Sequence, residues 1–476
     1  MRYEDLKYLE VPLPEAIAKE KWGGFFENAR SRIAAYLDDE TTDYALRCRL
    51  FARMIRWKGV TFLVSTPDSS VLMPSTDSMP RLSFISLIMQ EKIPVMTAEE
   101  LEKLRMEDKA DWIYINGQVR YLDSFAATLC KAYPEVWSRT EAGDTSDYTL
   151  IEDYIHGCED NLERTAHIHI RHEVEIAPRA LREGETIRVH IPIPRERAGI
   201  TNFKMLRTSH TPSFISDSKA AQPTIYFEEI AAKGQVLSVE YELDYTTAYH
   251  KLETRSEADM PQEASTACEE AFSSENLMEE APHIRFTPHL VTLCEKLIGG
   301  EVNPLRKARA IYNYVTTKMD YRFVRDYASI ENLSEYCALN RKGDCGIHSL
   351  LFITLCRIAG IPAQWESGLE ASPTYVGEHD WARFFIQDLG WLYADPAGGV
   401  LAYVRKSYDR WNFFFGNVDP YRIPINDRFQ HDFYPKKQHW RIDPYDNQCG
   451  EIEYEDSGVY GDDLIYRHIP IDIYLK

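Results

Sequence analysis

Between residues 166 and 249, apolar and polar side chains alternate with a period of two. The alternation is plain in HIHIRHEVEIAP. TIRVHIPIP, IYFEEI and VLSVEYELDYTTAY continue it, with turn-forming residues between them. Successive side chains on a strand point to opposite faces, so this pattern suits half-buried sheet and opposes a helical bundle over the same span. Residues 166–250 therefore read as an antiparallel, sandwich-like β domain. His167 and His169 share one strand face and His172 falls on the other. No spacing supplies them with further ligands, so they read as strand-face residues and not as a metal site.

Residues 1–165 have a different character. WGGFFENARSRIAAYLDD carries Phe25, Ile33, Ala34 and Leu37 at roughly helical spacing, and DYALRCRLFARMIRW continues in that style. GVTFLVSTP reads as a strand, through Val60, Phe62 and Val64. In TAEELEKLRMEDK, Thr97 and Glu100 form a capping box ahead of a helix. WIYINGQVRYL reads as a hairpin turning at Asn116-Gly117. The expectation is a mainly helical N-terminal domain with some strands.

After the β domain, residues 251–280 are acidic and polar and read as a linker, with a short helix around Ala264 to Ala271. Residues 281–476 form the last expected domain. Its early helices include one capped by Asn303, with Pro304 at its first position and Ala308, Ile311, Tyr312 and Val315 on its buried stripe. The aromatic stretch from Arg410 to Gly450 is expected to pack against this domain.

The whole chain sets limits on function. At 476 residues it exceeds one ordinary core, so several domains are expected. A formal net charge of -21 opposes a broad nucleic-acid or anionic-membrane footprint. No apolar run approaches the ~20 residues needed to cross a bilayer, and the N-terminal stretch shows no apolar signal core. Nine scattered cysteines suggest neither a disulfide framework nor a zinc site, which favours a reducing cytoplasm. No Walker-type loop, dinucleotide fingerprint or EF-hand spacing is present, so no metal or cofactor is expected. Oligomeric state is not legible.

Chemistry enters at RKGDCGIHSLLFITLCRIAG, Arg341 to Gly360. A helix is expected from about Cys345, with Leu351, Phe352, Leu355 and Ile358 as its apolar stripe and Gly360-Ile361-Pro362 as its end. Cys356 lies in the apolar second half and reads as a core side chain. Cys345 lies in the first turn, where free backbone N–H groups and the positive helix end favour a thiolate. Gly343 and Gly346 would let backbone approach a bound carbonyl. Downstream, EHDWARFFIQDLGWLYADPAGG reads as two strands, Trp381 to Gln387 and Trp391 to Asp395. Closing that hairpin brings His379, at the entry of the first strand, toward Asp395, at the exit of the second. A histidine there can take the Cys345 proton while the carboxylate orients the ring.

These residues resemble the core of the transglutaminase-like superfamily. The resemblance rests on Gly343-Asp344-Cys345-Gly346, the RIAGIPA continuation, His379 with Trp381, and Gly390-Trp391 with Asp395-Pro396, and runs from about Leu305 to Pro396. It implies a papain-like core, and many prokaryotic members carry a β domain before it, in agreement with residues 166–249, whereas residues 1–165 gain no assignment from it; the fold expected is thus multidomain α+β, with the core preceded by the β domain and the mainly helical N-terminal region. It also implies a site with Cys345 as nucleophile, His379 as base and acid, and Asp395 as orienting residue. The Cys345 N–H is the natural oxyanion donor. Tyr321 and Asn340 are candidates for a second, and His348 and Gly346 for the site wall. One position departs from the family pattern: Asp380 stands where alanine is usual. The expected reaction is hydrolysis of a peptide or amide-bearing small molecule through a thioester. Transfer to an amine and a catalytically silent peptide-binding or assembly module are the alternatives.

Overall fold

The computed structural model describes residues 162–252 and 272–476, except 325–326, 328–329, 388, 440 and 442–444. Ahead of these it describes 60–61, 103–109, 112–115, 118–122, 125–133 and 146–158. The chain divides into two compact units, one of residues 1–144 with 322–331, the other of residues 145–321 with 332–476.

In the first unit, β1 (Val60–Thr61), β2 (Trp112–Ile115) and β3 (Gln118–Leu122) form an antiparallel sheet in the order β1-β3-β2. Ile115 sits opposite Gln118, so a hairpin joins β2 and β3. Its turn residues Asn116 and Gly117 lie outside the described residues, as do Thr97, Glu100, the 25–37 helix and the rest of the 59–67 strand. Helix α1 (Phe125–Ala132) follows. Thr128 Oγ1 accepts from the Phe323 N–H at 3.1 Å, which ties the 322–331 segment to this unit.

The second unit begins with α2 (Ser146–Gly157) and the long strand β4 (Glu163–Ile176). It continues through β5 (Thr186–Pro192), β6 (Ile200–Thr208), β7 (Phe214–Ile215), β8 (Thr224–Ile230) and β9 (Val236–Ala248). The alternation works as expected on β4: Ile168, Ile170 and Val174 are fully buried, and His172 shares their face. His167 and His169 face outward to carboxylates across the strand, with 2.9 Å to Asp244 and 3.1 Å to Glu240. These are ordinary cross-strand pairs.

The next stretch holds α3 (Pro288–Ile298), α4 (Pro304–Lys318), β10 (Asp320–Tyr321), α5 (Leu333–Asn340), β11 (Lys342–Gly343) and α6 (Cys345–Ile358). Asn303 caps α4 through the Arg306 N–H. Then come β12 (Ala363–Ala371), β13 (Val376–Ile386), β14 (Gly390–Ala394), α7 (Pro396–Val404), α8 (Tyr408–Phe413), β15 (Phe415–Gly416) and β16 (Arg422–Asn426). Strands β12 to β16 make one antiparallel sheet in the order β15-β14-β13-β12-β16. The aromatic stretch after α7 thus supplies both sheet edges. Helix α6 lies against β12 and β13 with α4, α5 and α7 also packed on it, so Gly346 through Arg357 are all buried. The apolar stripe read from sequence understates this burial. A helix enclosed by other elements is covered all round. Each fully buried Leu, Ile or Phe side chain there contributes roughly 1.5–3 kcal/mol.

The last strands, β17 (Glu451–Glu453), β18 (Gly458–Val459) and β19 (Leu464–Leu475), return to the sheets of the β domain. β17 pairs with β5, and β19 runs antiparallel along β4 from Leu464 opposite Ile176 to Leu475 opposite Ala166. The resulting orders are β18-β17-β5-β8-β7 and β19-β4-β9-β6. Local alternation cannot name so distant a partner.

Candidate active site

Two local decisions place the thiol. Asp344 caps α6, its side chain accepting from the Ile347 N–H at 3.4 Å, and this starts the helix at Cys345. The approach is set by a short parallel pairing in which Tyr321 of β10 lies opposite Gly343 of β11. A Cβ at Gly343 would come within 2.5 Å of the Ile347 side chain and 3.3 Å of His348. Gly343 is therefore required by packing within the protein, and its missing side chain leaves no room for a ligand. Cys345 is partly exposed.

His379 and Asp395 come together by a different geometry from the one expected. His379 is the fourth residue of β13, not its entry, because the strand starts at Val376. Asp395 lies just past β14 and is the N-cap of α7, accepting from the Gly398 N–H at 2.7 Å. The β13–β14 ladder pairs Ala382 with Ala394, which puts Asp395 beyond the paired end and within reach of His379. The distance from His379 Nε2 to Asp395 Oδ2 is 2.8 Å, and both side chains are buried. Among the described residues, none is a hydrogen-bond partner of the buried His379 Nδ1. A Cβ at Gly398 would stand 2.8 Å from Asp395 Oδ2, so the glycine lets the carboxylate sit over the helix end.

Arg422 of β16, fully buried, donates from Nη2 to the same Asp395 oxygen at 2.9 Å and from Nε to Asp419 at 3.0 Å. Burial alone would raise the Asp395 pKa. His379, Arg422 and the Gly398 N–H outweigh it and hold the carboxyl well below the usual carboxylate range. Burial likewise disfavours the Arg422 charge, and Asp419, Glu370 and Asp395 restore it. Arg422 lies 27 residues beyond Asp395, and no motif in the sequence singles it out.

The thiol itself faces Asp380. Cys345 Sγ donates to Asp380 Oδ2 at 3.2 Å. The other carboxylate oxygen accepts from Gln448 Nε2 at 3.1 Å, and that amide also donates to the backbone of His379 and Gly368, each at 2.9 Å. The departure from alanine marked Asp380 in the sequence, but its orientation did not follow from that. Nothing local marked Gln448.

Of the remaining candidates, Tyr321 is buried edge-on to His348, with ring centres 6.1 Å apart. Burial, followed by the charges of Cys345, Asp344 and Asp380, pushes its hydroxyl pKa far up, so it remains a neutral donor. Asn340 donates to the Tyr336 carbonyl at 2.8 Å, closing the last turn of α5. His348 is fully buried, and burial pushes its pKa down to about 3, so it stays neutral. Gly346 is buried in the first turn of α6. Cys356 is wholly buried, and burial, with Cys294 nearby, pushes its thiol pKa well up. Among the described residues no His, Cys, Asp or Glu group is arranged to hold a metal. No described helix is long and apolar enough to cross a membrane.

Residues 291–396 match the family model of the Transglutaminase-like superfamily. The matched stretch runs from α3 to the start of α7 and holds Cys345, His379 and Asp395. A Haemophilus influenzae protein without an assigned function is 25% identical over 198 residues, 34% of this chain and 52% of the relative. The chain thus spans about half the length of that curated relative. Among solved structures, a candidate cysteine protease from Cytophaga hutchinsonii is similar over 66% of this chain and 90% of its own, at 12% identity and a TM-score of 0.37. The periplasmic domain of TgpA from Pseudomonas aeruginosa covers 56% of this chain and 96% of its own, at 13% identity and a TM-score of 0.28.

Proposed function

We propose that the chain is a thiol-dependent hydrolase that cleaves a peptide or amide bond through a Cys345 thioester. The observation that carries this reading is the His379–Asp395 pair, 2.8 Å apart, with no hydrogen-bond partner on the second imidazole nitrogen among the described residues. With Nε2 committed to the carboxylate, Nδ1 is the atom able to take a proton from a thiol and return it to a leaving amine. Cys345 at the start of α6 supplies the nucleophile, and its own N–H is the natural first oxyanion donor. Asp395 holds the ring orientation and stabilises the imidazolium that forms.

In the first half of the reaction the sulfur bonds to the substrate carbonyl, the C–N bond breaks, and the leaving amine takes the proton from His379. In the second half water attacks the thioester, His379 takes the water's proton, and the thiol is restored. An amine in place of water gives transglutaminase chemistry with the same residues. Water is the favoured acceptor because it needs no dedicated amine channel. Among the described cysteines, six are free, which suits a reducing compartment such as the cytoplasm.

The test is turnover of a peptide and amide library by the full chain without added amine, read by mass spectrometry. Acid products that disappear in Cys345→Ala support the proposal. Amine incorporation that predominates even when amine is scarce favours the transferase. Undiminished turnover by Cys345→Ala overturns both.

A further inference from the structure

The mechanism above makes no use of Asp380, although its carboxylate is the group the Cys345 thiol donates to. This side chain is almost wholly buried, on the strand position next to His379, and lies at the centre of a small network. Gln448 holds one carboxylate oxygen, the thiol holds the other, and Ser349 of α6 donates to the Asp380 carbonyl at 3.3 Å. Behind it lies a second buried acid, Asp446. Two buried carboxyl groups in contact cannot both ionise readily, so they share a proton. Burial first, and then the Asp380 charge, pushes the Asp446 pKa well above the carboxylate range. Both Asp380 oxygens accept hydrogens, one from Gln448 and one from the thiol, as the ionised member of such a pair does.

That charge stands 3.2 Å from the sulfur. It stabilises the neutral thiol by accepting its hydrogen and opposes the thiolate by like-charge repulsion. The helix end and His379 act in the other direction. Other groups near the thiol include Asp344 at the cap of α6, Tyr321 of β10 and, further out, Glu370 of β12, which share the electrostatic surroundings of Tyr321, with His348 edge-on to that ring, while the Arg441 charge acts on Asp446.

We propose that Asp380 is a positioning residue that retains the Cys345 proton in the resting protein, so that the thiolate forms only at the expense of moving that proton to His379. This rests on the reading of Cys345 as the nucleophile. The proton leaves sulfur for His379 Nδ1, and the sulfur then stands as a second negative charge beside Asp380. Attack on a carbonyl removes that charge from sulfur and carries it to the oxyanion. The resting thiol is thereby protected from adventitious alkylation and oxidation.

The test is the pH dependence of Cys345 alkylation by iodoacetamide, mapped by peptide mass spectrometry on the full chain. Wild type is compared with Asp380→Ala, the residue usual at this position in the resembling family, and with Asp380→Asn, which keeps the shape. Removing an adjacent charge should lower the midpoint by about one pH unit, giving about tenfold more thiolate at pH 7. The less basic thiolate is intrinsically roughly threefold slower, so net alkylation at pH 7 rises about threefold. Above both midpoints it becomes slower than wild type. An unmoved or raised midpoint in both variants overturns the proposal, since a merely structural Asp380 would leave it unmoved. Asp446→Asn covers the case in which both Asp380 variants fail to fold. It keeps the Asp380 charge and withdraws only the shared proton, so its midpoint should hold or rise, and a fall overturns the proposal. Alkylation is read whether or not a peptide is turned over. Failure of the catalytic reading, seen as turnover surviving in Cys345→Ala, is therefore distinguishable from failure of this one.

Discussion

Arg422 Nη2 donates to Asp395 Oδ2 across 2.9 Å, onto the same oxygen that faces His379 Nε2. A buried carboxylate is thus held between a fixed cation and the imidazole it orients. Asp395→Asn should keep the cap at Gly398 while losing the charge, and present His379 with the wrong partner. Turnover of a library substrate should fall by about two to four orders of magnitude in kcat, as when a triad carboxylate is replaced by its amide. A loss below about threefold, with folding intact, would remove Asp395 from the mechanism.

Replacing Arg422 tests the support beneath that pair. Arg422→Met leaves Asp395 and Asp419 buried without their cation. Breaking a buried ion pair by deleting one partner typically costs about 3–5 kcal/mol, and urea unfolding followed by tryptophan fluorescence should reveal a loss of that order. A loss under about 1 kcal/mol would mean that the carboxylates find other partners.

Asp446 predicts a slope in stability against pH. Its pKa is raised in the folded protein, chiefly by burial and then by Asp380. The folded state therefore keeps a proton that the unfolded chain releases above about pH 3.9. This contribution is fully present below that pH and declines as pH rises toward the folded-state value. Asp446→Asn removes the decline. The variant should gain stability relative to wild type between pH 5 and 8, measured as urea midpoints at successive pH values. A difference that stays constant across that window would contradict the assignment of the proton to Asp446.

The two cysteines of the Arg341–Gly360 stretch should separate cleanly. Cys345 is partly exposed, whereas Cys356 is wholly buried with its thiol pKa pushed well up. Brief iodoacetamide treatment of the native protein should modify Cys345 and leave Cys356 unmodified until denaturant is added. Preferential labelling of Cys356 in the native state would place the reactive thiol elsewhere.

What the sequence made legible follows from the range of each interaction. The β4 alternation, the Asn303 cap and the start of α6 are decided within a few residues and read directly. The His379–Asp395 encounter was legible because a short hairpin joins them, although the strand limits were misplaced by a few residues. Those limits depend on how far the β12 and β14 ladders extend. The parts that escaped are long-range. Gln448 reaches Asp380 from 68 positions away in numbering, and β19 completes a sheet begun by β4 about 300 residues earlier. Neither leaves a local periodicity. Asp380 lies between these cases: its chemistry stood out in the motif, but its direction is set by the pleat of β13 and the position of α6.

The most direct measurement of the central claim is capture of the acyl-enzyme. The full chain is mixed with p-nitrophenyl acetate, quenched in acid within the first turnover, and digested for peptide mass spectrometry. An acetyl group on Cys345 is expected, absent in Cys345→Ala and formed more slowly in His379→Ala. Acetylation confined to other residues, or product release at the wild-type rate from Cys345→Ala, would contradict nucleophilic catalysis by Cys345.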